Sequence, residues 1–597
     1  MFQSFVATTR PEQGPPRLRA LRAEMAREGL DGFLVPRADA HQGETVAPRD
    51  ERLAWLTGFT GSAGFAAVLR DVAGVFVDGR YRLQVRGQVA QDFTPVDWPA
   101  TKLGPWLISH LPEGGRVGFD PWLHTEAQIA ALREELEVKG IAMMPCENLI
   151  DRIWEDQPPP PEGRIVPHSL ELAGEASEDK RARLAAGLRE AGHEAAVLTL
   201  PDSIAWLLNL RGSDVARTPV PHAFAILYED ARVDLFVAPQ KVEELALDAG
   251  VTALPPDGLA AALTFLGGPV RVDRDTAPVA VADILREAEV EIAWEQDPCI
   301  LPKARKNSAE IAGTAEAHLR DGAAMVRFLA WLDAEAPGGG LTEIEVARRL
   351  EQFRRETNAL EDISFETIAG SGPDGAIVHY RVTKESDRAL QDGNLLLVDS
   401  GGQYRDGTTD VTRTIAVGEP TEEQVACFTR VLRGMIGIST LRWPTGLAGR
   451  DLDPVARAPL WRAGQDFDHG TGHGVGVYLS VHEGPQRLSR TSEVPLEPGM
   501  ILSNEPGYYR EGAFGIRIEN LVVVEDAPKL EGGDDRRMLR FRTLTFVPID
   551  RRLIDAAMLA PDEREWLNRY HAEVAERIGP RVDGAAAAWL ARATAPI

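Results

Sequence analysis

Short apolar runs alternate with helical patterns through the first quarter of the chain. Gly32–Val35, Phe65–Leu69 and Gly74–Val77 read as buried strands, while Arg17–Glu28 and Thr125–Val138 space their apolar residues as helices do. This alternation predicts an α/β unit. It ends at Trp154–Arg164, WEDQPPPPEGR, where consecutive prolines can continue neither a helix nor a central strand. The next segment repeats the first: DGFLVPRADAH, LAWLTGFTGS, FAAVL and VFVDG recur as EAAVLTLPDS, IAWLLNLRGS, FAILY and DLFVA. In each copy a strand leads to a helix carrying Trp55 or Trp206, then a glycine loop, then a hairpin-like strand pair, which predicts a duplication. After LPKARKN, Leu301–Asn307, two helical patterns, Ser308–Glu335 and Thr342–Thr357, precede strand-rich, glycine-rich sequence. The tail from Arg551 carries DEREWLNRYHAEVAERI on a helical period and is expected to be a capping helix in ordinary surface packing. The predicted domains are 1–154, 155–302 and 303–597.

Length agrees with several domains, because 597 residues exceed what one hydrophobic core usually holds. Charge changes the picture more. With 65 Lys+Arg against 91 Asp+Glu the formal net charge is −26, a field that repels phosphate backbones and anionic membranes. No nucleic-acid partner and no membrane partner are expected. Cys146, Cys299 and Cys427 are far apart and odd in number, fitting neither a disulfide framework nor a thiolate metal site. The N-terminus, MFQSFVATTRPEQGPPR, has no basic region leading into an apolar stretch, and no apolar run reaches the roughly 18 residues of a spanning helix. A soluble, cytoplasmic protein is the expectation.

Candidate chemistry concentrates in the third segment. Asp399 closes NLLLVDSGG, Asp410 lies in GTTDVTRTIAV, Glu505 follows MILSN, and Glu519 lies in FGIRIENLVVV. Each alone reads as a turn or strand-end residue. Together they sit beside apolar strands at spacings of 11 and 14 residues across turn-rich sequence, and both spacings suit hairpins that set paired acids side by side. Converging carboxylates repel, so either some stay protonated or a cation sits among them. HGTGHGVG, His469–Gly476, supplies imidazoles on a glycine loop. Four carboxylates balance two divalent ions, with one neutral imidazole completing a site that has room for a bridging water or hydroxide. Oxygen-rich ligation favours Mn²⁺ or a similar ion over structural zinc, and such a pair of ions suits hydrolysis.

These residues, in this order, resemble the metal site of the pita-bread metallopeptidases. The strings DSGGQYRDGTTDVTRT, HGTGHGVGVYLSVHEGP, LSNEPGYY and FGIRIEN resemble the long, three-domain, cytosolic Xaa-Pro aminopeptidase branch of that family. PRADAHQGE, GFTGSAG, VDGRY, AWLLNLRGSD and LIDAAMLAPDEREWLNRYH extend the resemblance over nearly the whole chain. It implies an α/β (α+β) fold: two duplicated creatinase-like N-terminal domains, which limit access to short peptides, followed by a pita-bread catalytic domain. It implies Asp399, Asp410, His473, Glu505 and Glu519 as ligands of two divalent ions, with Glu519 bridging them and Glu505 also placed to take a proton from the nucleophilic water. His379 and His482 become the catalytic-site histidines that orient substrate and shuttle protons, His469 a pocket residue near the scissile bond. Arg517 is expected to hold nearby carboxylates, Tyr509 to line the pocket, and Arg80 to reach toward the substrate channel or form a core-edge salt bridge. The reaction implied is hydrolysis of the N-terminal Xaa-Pro bond of short peptides, in a homodimer. The departing proline nitrogen must be protonated, work suited to a histidine, and His482 is the chosen donor. Prolidase activity on Xaa-Pro dipeptides is the alternative. A non-catalytic binding module fits less well, because such members lose metal ligands and all five are present here.

Overall fold

The computed structural model describes all 597 residues. They form two compact units, Thr8–Lys303, and Met1–Ala7 together with Ala304–Ile597.

The Thr8–Lys303 unit holds two six-stranded sheets. The first contains Gly32–Pro36, Phe65–Leu69, Ala73–Val77, Thr94–Asp97, Arg116–Phe119 and Ala142–Pro145. The second contains Ala195–Leu198, Phe224–Tyr228, Val233–Phe236, Val251–Leu254, Val270–Val272 and Ile292–Trp294. Numbered along the chain within each sheet, the strands lie side by side as 4-3-2-1-5-6 in both. Pairs 1–2 and 2–3 are antiparallel, and 3–4, 1–5 and 5–6 parallel, again in both. Identical order and orientation bear out the repeat read from the sequence. The central strands are buried along nearly their whole length, which is why they appear as unbroken apolar runs rather than alternating ones. Trp55 and Trp206 sit on the equivalent helices Arg52–Thr57 and Pro201–Leu207. Trp55 stacks on Trp154, 5.2 Å between ring centres, so the first repeat closes just before the proline run. The repeats are joined by main-chain hydrogen bonds, Val279 N to His124 O and Ala127 N to Arg274 O, both 2.9 Å, and by the Arg286–Glu126 ion pair at 2.5 Å.

In the second unit the helix Ser308–Glu335 spans the predicted range, and Glu343–Arg355 falls within the second pattern. Reciprocal side-chain caps start both, Asn307 with Glu310 and Thr342 with Glu345, satisfying amides that a helix start leaves bare. Their apolar faces pack with Leu396, Val398, Val411 and Ile415. Those residues belong to an antiparallel sheet of Ile368–Ser371, Leu395–Ser400 and Val411–Ala416, with Leu395–Ser400 central. A six-stranded sheet runs Arg442–Pro444, Met538–Thr543, Asn520–Asp526, Ile501–Asn504, Gly472–Gly474, Glu483–Leu488.

The tail departs from the sequence expectation. Its helix, Pro561–Ile578, is no surface cap: Trp566, Leu567, Tyr570, Val574 and Ile578 join Phe428, Leu432, Ile516 and Ile518 in one core. The apolar stripe was visible in the sequence. The surface it meets is assembled from strands and a helix far away along the chain.

Candidate metal centre

Two hairpins carry the four carboxylates. Leu395–Ser400 pairs with Val411–Ala416 so that Asp399 faces Thr412, and Asp410 immediately precedes the second strand. The arms approach too closely for a side chain at Gly401, where a Cβ would lie 1.9 Å from the Thr409 carbonyl oxygen. Ile501–Asn504 pairs with Asn520–Asp526 with Asn504 opposite Asn520, so the next residues out, Glu505 and Glu519, fall at the same end of the ladder. The hairpins are tied together where Glu519 N donates to Thr412 O at 3.2 Å. Both predicted acid pairings are therefore hairpin pairings.

His473 enters on Gly472–Gly474, beside the same strands. Its backbone N donates to Ser503 Oγ (2.9 Å), and its Nδ1 lies 2.9 Å from Gly474 O. Nδ1–H therefore donates to that carbonyl, leaving the Nε2 lone pair free to ligate. Nε2 stands 3.5 Å from Asp410 Oδ2 and 3.4 Å from Glu505 Oε1.

The surrounding donors leave a particular set of oxygens unmet. Thr412 Oγ1 donates to Glu519 Oε2 (2.8 Å), Ser503 Oγ to Glu505 Oε1 (2.9 Å), and Arg517 Nη2 to Asp399 Oδ2 (2.5 Å). Asp399 Oδ1, Asp410 Oδ1 and Glu519 Oε1 are buried with no hydrogen-bond donor. Burial, then the charges of Asp399 and Glu505, push the Asp410 carboxyl well above the ordinary carboxylate range. Burial, then Asp410, Glu505 and Asp399, do the same to Glu519. Buried, unpaired and mutually repelling carboxylates are unfavourable unless cations occupy the space between them. The oxygen-rich donor set with one imidazole fits two divalent ions.

Arg517, 1% exposed, stays charged: burial opposes this, but Tyr509, Asp399 and Glu505 outweigh it. Its Nη1 donates to Tyr509 Oη (2.6 Å), and that oxygen lies 2.8 Å from His469 Nε2. Since the arginine can only donate, the tyrosine proton points to His469, whose Nδ1–H meets Gly470 O at 2.7 Å. Asp399, Arg517, Tyr509 and His469 thus form one chain of hydrogen bonds. Burial raises the Tyr509 hydroxyl to about 12, with Arg517 acting in the opposite direction, so it holds its proton at neutral pH.

The His482 ring packs edge-on to His473, 4.2 Å between centres, with its residue exposed to solvent. His379 lies between two anchored neighbours. Val378 O accepts from Arg517 Nη2 at 3.4 Å, and Tyr380 Oη donates to Glu343 Oε2 at 2.9 Å. Arg80, in the other unit, places its guanidinium on Asp78, Nη2 to Oδ2 2.7 Å and Nε to Oδ1 3.0 Å.

Several supporting residues were missed by the sequence reading. Thr412 and Ser503 hold the Glu519 and Glu505 carboxylates directly. Arg413 is buried and donates to Glu519 O, Asn520 Oδ1 and Tyr570 Oη, linking the strand that follows Glu519 to the C-terminal helix. Lys306 and Glu483 form a fully buried ion pair next to His482. A usable signal existed in TTDVTRT: Thr412, Arg413 and Thr414 are three consecutive polar residues in a strand that is buried at every position.

Comparison with known proteins agrees with this geometry. The profile of metallopeptidase family M24 matches residues 312–526 and that of the C-terminal region of peptidase M24 matches 537–597. Creatinase/prolidase N-terminal domain profiles match 17–153 and 156–310. Aminopeptidase P2 of Arabidopsis thaliana is 40% identical over 95% of this chain and 86% of its own length. A probable Xaa-Pro aminopeptidase P of Laccaria bicolor is 37% identical over 97% and 93%. The crystal structure of an X-prolyl aminopeptidase from Caenorhabditis elegans, described as a cytosolic enzyme with a di-nuclear active site, superposes with a TM-score of 0.93 at 31% identity. It covers 98% of this chain and 100% of that one. The expected fold is borne out: two creatinase-like repeats and a pita-bread domain. With its carboxylate hairpins, its His473 strand and near full-length agreement with these relatives, the chain belongs to metallopeptidase family M24, in the aminopeptidase P group.

Proposed function

We propose that this chain is a metal-dependent aminopeptidase that hydrolyses the N-terminal Xaa-Pro bond of short peptides. The observation that carries the reading is the convergence of Asp399, Asp410, His473, Glu505 and Glu519 with three buried carboxylate oxygens left without donors. Two divalent cations held there supply Lewis acidity and lower the pKa of water. Side chains do the rest. Glu505, steadied by Ser503, takes the proton of the attacking water. His482, exposed beside the His473 ring, returns a proton to the departing proline nitrogen, which would otherwise leave as an amide anion. His379 and His469 orient the peptide. Arg517 and Tyr509 act through Asp399 and His469, since their polar atoms are engaged there, and the Tyr509 ring forms part of the pocket wall. Arg80 is a proposed substrate-channel residue, its Nε and Nη2 resting on Asp78.

The chelator-stripped and metal-reloaded protein should be assayed on an Xaa-Pro-Yaa tripeptide and an Xaa-Pro dipeptide. Metal-dependent tripeptide turnover, abolished in Glu505→Ala with the fold intact, is expected. Strict dipeptide use would make the chain a prolidase, and no turnover with any divalent ion would leave a binding module.

Finer assignments belong to the same proposal. Mn²⁺ is the preferred ion because carboxylates dominate the ligand set, and metal analysis of protein purified without added metal tests this. The cytoplasm is the proposed compartment, consistent with three free cysteines and with the cytosolic relative; fractionation tests it. A homodimer is proposed, and light scattering reads its mass. The proposed domain divisions, near residues 154 and 303, are tested by limited proteolysis.

A further inference from the structure

The motif PRADAHQGE has no part in the metal centre described above. Its Asp39 follows the strand Gly32–Pro36 and is only 1% exposed. Oδ1 accepts from the backbone amides of His41 (2.9 Å) and Gly43 (3.0 Å), which fixes the carboxylate plane. Oδ2 is buried and receives no hydrogen bond. It stands 3.3 Å from His222 Nε2, within ion-pair distance but without a well-aligned hydrogen bond between them. Asp50 completes the group. Its Oδ1 accepts from Arg52 Nη1 (2.8 Å), and ligand atoms of Asp39, Asp50 and His222 all lie within 4.8 Å of one another.

We propose that Asp39, Asp50 and His222 form a further divalent-cation site, of zinc class, that ties the two repeats of the Thr8–Lys303 unit together. Asp39 and Asp50 come from the first repeat and His222 from the second, inside one compact unit. Ligands about 2.0 Å from a tetrahedral zinc are separated by about 3.3 Å, which is the Asp39–His222 distance. The M24 centre sets the same scale, with His473 at 3.5 and 3.4 Å from Asp410 and Glu505. One imidazole and two carboxylates leave a fourth position for water, a set that zinc accepts.

The charge is suitable. Arg52 is shared between Asp50 and Asp151, Nε to Asp151 Oδ1 2.7 Å, so the cluster keeps a net negative charge for a cation to neutralise. The histidine is also held in place from outside. Its backbone N donates to Asp214 Oδ2 (2.6 Å), Asp214 pairs with Lys241 (2.7 Å), and the His41 ring lies 4.7 Å from the His222 ring. His41 Nδ1 meets Thr199 O at 3.2 Å, a second contact across the repeats.

The test uses the full chain. After chelator stripping and equilibrium dialysis against excess Zn²⁺, wild type should retain about three ions per chain. His222→Ala and Asp39→Asn should retain about two, with tripeptide turnover within about twofold of wild type. In an Asp410→Asn background, where the M24 centre is weakened, zinc should still raise the melting temperature, and His222→Ala should remove that rise. An anomalous difference map at the zinc edge on wild-type crystals needs no variant and should peak between Asp39 and His222. Two ions in wild type, a third ion retained by both variants, or no anomalous peak would each overturn the site. The melting-temperature and anomalous-scattering readouts do not depend on the peptidase assignment, so their failure is distinguishable from its failure.

Discussion

Thr412→Val isolates the support of Glu519, a proposed metal ligand. Valine keeps the shape of threonine and the strand preference of the position, and removes a hydroxyl that donates to Glu519 Oε2 at 2.8 Å and lies 3.3 Å from Arg517 Nε. Both strands here are buried, so water cannot take over the lost bond. A buried hydrogen bond to a charged group contributes about 1.5–3 kcal/mol, and each 1.4 kcal/mol is a decade in an equilibrium constant. Divalent-ion affinity should therefore fall about 10- to 100-fold, and kcat/KM at limiting metal should fall with it. Competition against a chelator of known affinity reads the first quantity and initial rates the second. Thr429→Val is the control: Thr429 is buried and bonds the Val425 carbonyl in its own helix, so it should lose stability without losing metal. If Thr412→Val bound metal within about twofold of wild type, Glu519 would not depend on that hydroxyl and the orientation argument would fail.

Other outcomes follow from the same contacts. In metal-free protein the raised Asp410 and Glu519 carboxyls keep protons that the unfolded chain has already released above about pH 4. The folded state then binds more protons than the unfolded one, so its stability falls as pH rises from about 5 to 8, and saturating divalent ion removes that slope by replacing the protons. Melting temperatures with and without metal check this; a metal-free protein that gains stability over that interval contradicts it. His482→Gln should lower kcat about 10²- to 10⁴-fold with metal content unchanged, measured by rates beside metal analysis; loss of metal instead would make it a structural group. Trp566→Ala removes a buried ring stacked on Tyr570 at 5.2 Å and should cost about 3–5 kcal/mol in denaturant unfolding, whereas under 1 kcal/mol would return the tail helix to a surface role.

Local physics was readable from the residues alone. Periodicity located the helix Ser308–Glu335, the first three of the six strands in each repeat and the turns between paired acids, because each depends on neighbours within a few residues. Spacings of 11 and 14 residues suited hairpins for Asp399 with Asp410 and for Glu505 with Glu519, and strand pairing places each pair at one end of its ladder. The strand order 4-3-2-1-5-6 could be read only as a likeness between copies, since a repeat shows that two segments share a topology without saying which one.

Tertiary structure decided everything that joins distant segments. Thr412 reaches Glu519, Arg517 reaches Asp399 and, through Tyr509, His469, and Arg413 reaches Tyr570 on a helix whose core role the sequence left hidden. Asp39 meets His222 only because two similar sheets pack within one unit. A side chain's own chemistry tells what partner it needs, and the stacking of sheets and helices determines which of many distant candidates stands within 3 Å.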